Sequence, residues 1–222
     1  RQRCLRTHGC CGAGRSLRSS RLPNAFLDNC RMKLAILDRD GTLNVPGEPF
    51  IASADEWTAV PGALEAVARL NHAGWHVVVA TNQPGLGRGL FDVLALNAIH
   101  AKMHRQMAAA GGRIDAVFYC PHAESEHCAC RKPAPGLLEQ IRDRYGVEGG
   151  EVLVIGSCPD HLQAAAGLGA QLHMVCTGAS AHLAPDQPLP PSWPAGTRAH
   201  ANLAALVDAV LPSAGSGLQV AV

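Results

Sequence analysis

The stretch that most constrains this chain is Leu34-Ala35-Ile36-Leu37-Asp38-Arg39-Asp40-Gly41-Thr42-Leu43-Asn44. Four apolar residues run into two carboxylates spaced two apart, followed by Gly-Thr. Such a run suits a strand buried on both faces of a parallel sheet, and open α/β sheets carry their chemistry at strand C-terminal ends. In an extended chain, residues i and i+2 point the same way, so Asp38 and Asp40 can share a site. Two carboxylates that close repel each other unless a cation or a proton compensates. A shared divalent metal is the simplest compensation, and Gly41 lets the chain turn away sharply.

Beyond this stretch the apolar pattern alternates between strand and helix. Residues 44–56 form a Pro/Gly-bearing loop, and 63–73 carry a helical face that closes at Gly74. Residues 75–80 read as a second buried strand ending in Thr81-Asn82-Gln83, and 84–89 as a turn-rich loop. A long helix over 91–110 is expected to turn Leu94, Leu96, Ile99, Met103 and Met107 inward, with Gly111-Gly112 as its stop. Strands over 114–119, 151–155 and 172–175, and helices over 135–145, 159–168 and 201–211, complete the pattern. This alternation, without an internal repeat, predicts an α/β fold with a doubly wound parallel sheet. The polar punctuation after the strands (Asp38/Asp40, Thr81/Asn82, Cys120/His122, Ser157/Asp160) converges on one sheet edge, as in an enzyme.

The 222 residues suffice for one such domain, and no apolar run approaches the roughly 18 residues of a membrane span. The net charge of +1 conceals an asymmetry: residues 1–31 hold seven arginines against Asp28, leaving the remaining chain at −5. A basic nucleic-acid face on the body is therefore not expected. The Arg/Ser-rich leader is expected to be an upstream extension rather than a transit peptide, and disordered. The domain is placed at 32–212, with a tail over 213–222. The nine cysteines are odd in number and clustered, a pattern that fits a reducing, cytoplasmic compartment with one metal site better than a secreted disulfide framework.

That site is Cys120-Pro121-His122, five residues, then Cys128-Ala129-Cys130. Thiolates and imidazole suit zinc, and four ligands close a tetrahedron, so Zn²⁺ here is expected to be structural. His127 reads as an exposed neighbour. Arg131-Lys132-Pro133 follows at once, and two adjacent cations in a metal-fixed loop at a strand-end crevice suggest a phosphate.

Asp38-x-Asp40-Gly-Thr, Thr81 and Lys132, in this order, resemble the first three motifs of the haloacid-dehalogenase-like phosphohydrolases. The zinc loop running into Arg-Lys-Pro, with Asn82-Gln83-Pro84-Gly85-Leu86-Gly87-Arg88-Gly89, is similar to the heptose 1,7-bisphosphate 7-phosphatase branch over about residues 33–210. The zinc-loop histidinol-phosphatases rank second. The resemblance implies a minimal cap, a small sugar-bisphosphate substrate from lipopolysaccharide heptose synthesis, and no nucleic-acid or membrane partner. A monomer is expected. It further implies Asp38 as nucleophile, Asp40 as acid/base, Thr81 and Lys132 on the phosphoryl oxygens, and Asn82, Gln83, Pro84 and Arg131 at the substrate. Mg²⁺ would lie on Asp38 and the Asp40 carbonyl. Arg39, between the two aspartates, is expected to point elsewhere and receives no role.

One motif departs from the pattern. The relatives carry Gly-Asp after the fourth strand and an acid four residues on; this chain has Gly156-Ser157 and His161. Ser157 thus stands where a third magnesium ligand belongs, with the offset Asp160 as a possible substitute and Cys158 a poor one. Pro159 suits the first position of a helix. The expectation is weakened metal binding and low turnover, or a pseudo-enzyme that binds sugar phosphate without hydrolysing it.

Overall fold

A computed structural model describes residues 32–211. The expected leader, 1–31, and the tail, 213–222, lie outside these residues. Six parallel strands form one sheet: β1 (Lys33–Leu37), β2 (Trp75–Asn82), β3 (Ala116–Cys120), β4 (Val152–Gly156), β5 (Gln171–Val175) and β6 (Arg198–His200). Their order is β3-β2-β1-β4-β5-β6. The chain winds outward from β1 to one edge, returns beside β1 as β4, and winds to the other edge. The reversal leaves a crevice at the C-terminal ends of β1 and its two neighbours.

The sheet is buried because its strands are apolar on both faces. Ala35, Leu37, Val77, Val79, Leu153 and Ile155 meet α1 (Ala63–His72), α3 (Val93–Ala109) and α6 (Leu203–Val210). Leu34, Ile36, Val78, Ala80, Val152 and Val154 meet α4 (Gly136–Tyr145) and α5 (Pro159–Gln163). Adjacent strand residues thus alternate between two helix layers, the period-2 arrangement of a sheet covered on both sides. Among the described residues, no helix is long and apolar enough to cross a membrane.

Four details differ from the sequence expectation. The glycine-rich loop contains a short helix, α2 (Pro84–Gly87), with Pro84 at its start. Leu94 is 76% exposed, because Leu96, Ile99, Met103 and Met107 share one helix face and Leu94, two residues before Leu96, falls on the opposite side. Helix α5 ends at Gln163 and not 168: the following amides of Ala165, Ala166 and Leu168 bond three residues back, tightening the chain ahead of Gly169 (φ 68°). Strand β6, after the Pro-rich segment, was not expected at all.

Candidate active site

Asp38 follows β1 directly, and its amide donates to the Ile155 carbonyl at 2.9 Å, extending the β1–β4 pairing by one residue. The side chain is only 8% exposed. Lys132, delivered by the loop after β3, places Nζ 2.8 Å from Asp38 Oδ1. The same ammonium donates to the Ala80 carbonyl at 2.7 Å and to His161 Nδ1 at 2.9 Å. Burial is the largest single influence and pushes the Asp38 pKa up, but the Lys132 charge, the neighbouring His161 and the hydrogen bonds from Lys132 and Cys158 together outweigh it and hold the carboxyl below its ordinary value.

Gly41 (φ 80°) makes the turn that the sequence requires, directly after Asp40. Its carboxylate is gripped by Arg39, whose NH2 lies 3.0 and 2.9 Å from Asp40 Oδ1 and Oδ2 and whose Nε lies 3.3 Å from Oδ1. Asn44 Nδ2 donates to Oδ1 at 3.0 Å and Gln83 Nε2 to Oδ2 at 3.3 Å. Arg39 is wholly buried, with NH1 3.4 Å from His100 Nε2. The expectation that it points elsewhere is corrected: its long side chain curls back onto its neighbour. Asn44 and His100 were likewise not singled out by sequence.

Thr81 and Asn82 close β2. Thr81 is buried and its hydroxyl accepts from Gln83 Nε2 at 3.0 Å. The Asn82 side chain bonds the main chain of Lys132 twice, Nδ2 to the carbonyl at 3.0 Å and Oδ1 from the amide at 3.1 Å. Pro84 opens α2 beside them. Arg131 pairs through NH2 with Glu124 at 2.6 Å, while its buried NH1 has no protein partner. Lys132, tied to Asn82, thus meets Asp38, and Gln83, tied to Thr81, meets Asp40, whereas the ion pair of Arg131 is with Glu124. Alongside, an open groove of about 950 Å³ runs between the glycine loop and the cysteine loop, lined by Leu86, Phe91, Tyr119, His122 and Glu126 among others.

The divergent segment retains its shape. Pro159 occupies the first turn of α5, and Cys158 precedes it without a side-chain capping bond. Ser157 is buried; its hydroxyl lies against Gly41 so closely that a Cβ there would collide, and its carbonyl accepts from Ser180 Oγ at 2.7 Å. Cys158 Sγ approaches Asp38 Oδ2 at 3.3 Å, and burial together with that carboxylate pushes its thiol up to about 12. Asp160 is exposed. Oxygens of Asp38 and Asp40 suit a hard divalent cation, and the Ser157 hydroxyl is a weaker third donor than a carboxylate. The donor set thus fits Mg²⁺ with one side-chain carboxylate fewer than the motif leads one to expect.

The second cluster sits at the end of β3. Cys120, His122, Cys128 and Cys130 bring one ligand atom each within 4.8 Å of all the others. Sulfur–sulfur separations are 3.3–3.5 Å, and His122 Nδ1 lies 3.5 and 3.2 Å from Cys120 and Cys130. Zn–S bonds of about 2.3 Å imply tetrahedral edges of roughly 3.8 Å, so slight expansion would admit the ion. His127 is exposed and outside the cluster.

Residues 44–169 match the family model described as haloacid dehalogenase-like hydrolase. The D-glycero-beta-D-manno-heptose-1,7-bisphosphate 7-phosphatase of Bordetella bronchiseptica is 49% identical over 183 residues, 82% of this chain and 100% of that protein. The enzyme of the same name from Pseudomonas aeruginosa is 41% identical over 178 residues, 80% of this chain and 97% of its own. The solved structure of D,D-heptose 1,7-bisphosphate phosphatase from B. bronchiseptica, complexed with magnesium and phosphate, superposes with a TM-score of 0.73. It covers 80% of this chain and 97% of that one.

Proposed function

The chain belongs to the haloacid dehalogenase-like hydrolases, and on that premise we propose that it removes the 7-phosphate of D-glycero-D-manno-heptose 1,7-bisphosphate. The observation that carries the proposal is the buried Asp38–Lys132 pair at the point where the sheet order reverses, with the Asp40 carboxylate two residues on linked through Gln83 to Thr81. The heptose phosphatases that align over nearly their whole length support the substrate, and they favour it over histidinol phosphate.

In this reading an oxygen of Asp38 attacks phosphorus and the ester oxygen leaves, giving an aspartyl-phosphate. The Lys132 charge and the surrounding hydrogen bonds offset burial, so Asp38 is ionised at neutral pH. Asp40 gives a proton to the departing sugar oxygen and later takes one from the water that hydrolyses the acyl phosphate. The Thr81 hydroxyl and Lys132 ammonium hold phosphoryl oxygens as charge builds there. Arg131, whose buried NH1 has no protein partner, contacts the sugar phosphate in this reading, together with Asn82, Gln83 and Pro84. Asp38, the Asp40 carbonyl and the Ser157 hydroxyl would hold Mg²⁺, which when bound would supply charge compensation for the phosphoryl group. Cys120, His122, Cys128 and Cys130 would hold Zn²⁺, which when bound would fix the loop that delivers Arg131 and Lys132.

A second reading rests on Ser157: a chain with weak magnesium binding that retains the sugar phosphate without hydrolysing it at a useful rate. Phosphate release from heptose 1,7-bisphosphate and from histidinol phosphate, each titrated with Mg²⁺, decides. Release from the heptose ester sustains the proposal, and faster release from histidinol phosphate overturns it. Heptose-bisphosphate binding without release at saturating Mg²⁺ establishes the second reading.

A further inference from the structure

His161 is fully buried beneath the active site, and nothing in the proposed reaction requires it. Its ring is seated on three sides. Nδ1 lies 2.9 Å from Lys132 Nζ and Nε2 lies 3.4 Å from the Ile36 carbonyl. A Cβ on Gly156 would come within 2.9 Å of the ring's Cδ2. Two residues distant in sequence and a glycine at the end of β4 therefore confine one imidazole.

A lysine ammonium has three N–H bonds and accepts none. In this structure all three are assigned: one to the Ala80 carbonyl, one to His161 Nδ1 and one to Asp38 Oδ1. The first two partners belong to the protein interior, and the third is an oxygen of the carboxylate at which phosphoryl transfer is proposed to occur. Because Lys132 can only donate, Nδ1 must carry the lone pair and Nε2 the proton, directed at Ile36. An imidazole in that tautomer orients the ammonium without neutralising it. A carboxylate in its place would draw the lysine into a second ion pair and divide its charge.

We infer that His161 is a positioning residue that aims the Lys132 ammonium at Asp38 and at the phosphoryl group it receives. The role rests on the phosphatase reading above. It acts through geometry, since an ammonium freed from His161 can swing its third N–H out of the site, and misplacement by about 1 Å costs on the order of 10²-fold in rate.

The test exploits the two ring nitrogens. Asparagine places Oδ1 where Nδ1 stands, while glutamine extends its oxygen toward the position of Nε2. His161→Leu should lower kcat on heptose bisphosphate about 10²-fold with KM changed less than about threefold, because the loss falls on charge developing in the transition state. His161→Asn should restore at least a third of the wild-type kcat, and His161→Gln should not. ¹⁵N NMR of the wild-type chain should show the His161 imidazole neutral and protonated at Nε2. A His161→Leu kcat within threefold of wild type, equal rescue by both amides, or a proton on Nδ1 overturns the assignment. The NMR measurement needs no turnover. A wild-type chain inactive on heptose bisphosphate therefore refutes the substrate reading while His161 is still decided by its tautomer, even if the leucine variant does not fold.

Discussion

Lys132 and Asp38, 94 residues apart in sequence, form an ion pair of 2.8 Å with both side chains almost wholly buried. Removing one partner of such a pair strands the other charge, a loss of about 3–5 kcal/mol. Lys132→Met should therefore abolish phosphate release and lower stability in urea unfolding. Lys132→Met combined with Asp38→Leu should unfold at higher urea than the single variant. A single variant as stable as wild type would refute a buried pair.

Acid should act on the same pair in a defined direction. Asp38 has a folded-state pKa below its unfolded value, so its stabilisation is complete above the unfolded value of about 3.9 and is lost as pH falls through the folded one. Asp38→Asn should remove this contribution. Its urea midpoint should consequently change less than that of wild type below about pH 4.

A separate acid response is expected at the sheet edge. His173 Nδ1 and His200 Nε2 lie 3.0 Å apart on β5 and β6, and burial with the adjacent His200 lowers His173 to about 4. Folded His173 stays neutral while the unfolded chain takes up a proton below about pH 6.5, so this stability is present above 6.5 and declines toward 4. The loss should be on the order of 1–3 kcal/mol, and His173→Leu should flatten that part of the urea-midpoint profile.

The Arg39 grip on Asp40 predicts a sharp distinction between cations. Arg39→Met should reduce kcat by about 10²-fold by releasing Asp40 from its aim, and Arg39→Lys should rescue little, since an ammonium cannot reproduce the forked contact. Recovery of full kcat with lysine would show that charge alone matters.

Ser157→Asp restores a carboxylate to the turn packed on Gly41. The Mg²⁺ concentration giving half-maximal activity should fall at least about tenfold, because a hard divalent cation gains a charged oxygen ligand. An unchanged requirement would locate the magnesium away from Ser157.

Much of the candidate site was readable because its residues sit in short linear motifs at strand ends: Asp38 and Asp40 after β1, Thr81 in β2, Cys120 at the end of β3 and His122, Cys128 and Cys130 after it. The contacts that aim these groups were not. Arg39 was misjudged because alternation assigns it to the opposite side of an extended chain, and the turn at Gly41 allows a flexible side chain to fold back. The His161–Lys132 contact spans 29 residues and leaves no local pattern. Within the fold, β6 escaped notice because three residues, Arg-Ala-His, carry no apolar periodicity; they become a strand only where β5 offers an edge. Leu94 looked like core by composition, and helix phase placed it outside.

The paired bonds between the Asn82 amide and the main chain of Lys132 copy the donor–acceptor exchange of two neighbouring strands. They make a single rung of ladder from a side chain. The cysteine loop is thereby tethered at both ends, by its cluster and by β2. Removal of a zinc ion held there as proposed should slacken the chain between these anchors and leave the lysine backbone moored to the sheet. Damage by chelation or thiol oxidation would then be confined to a short arc of loop, and metal resupply or reduction would complete a site still half assembled.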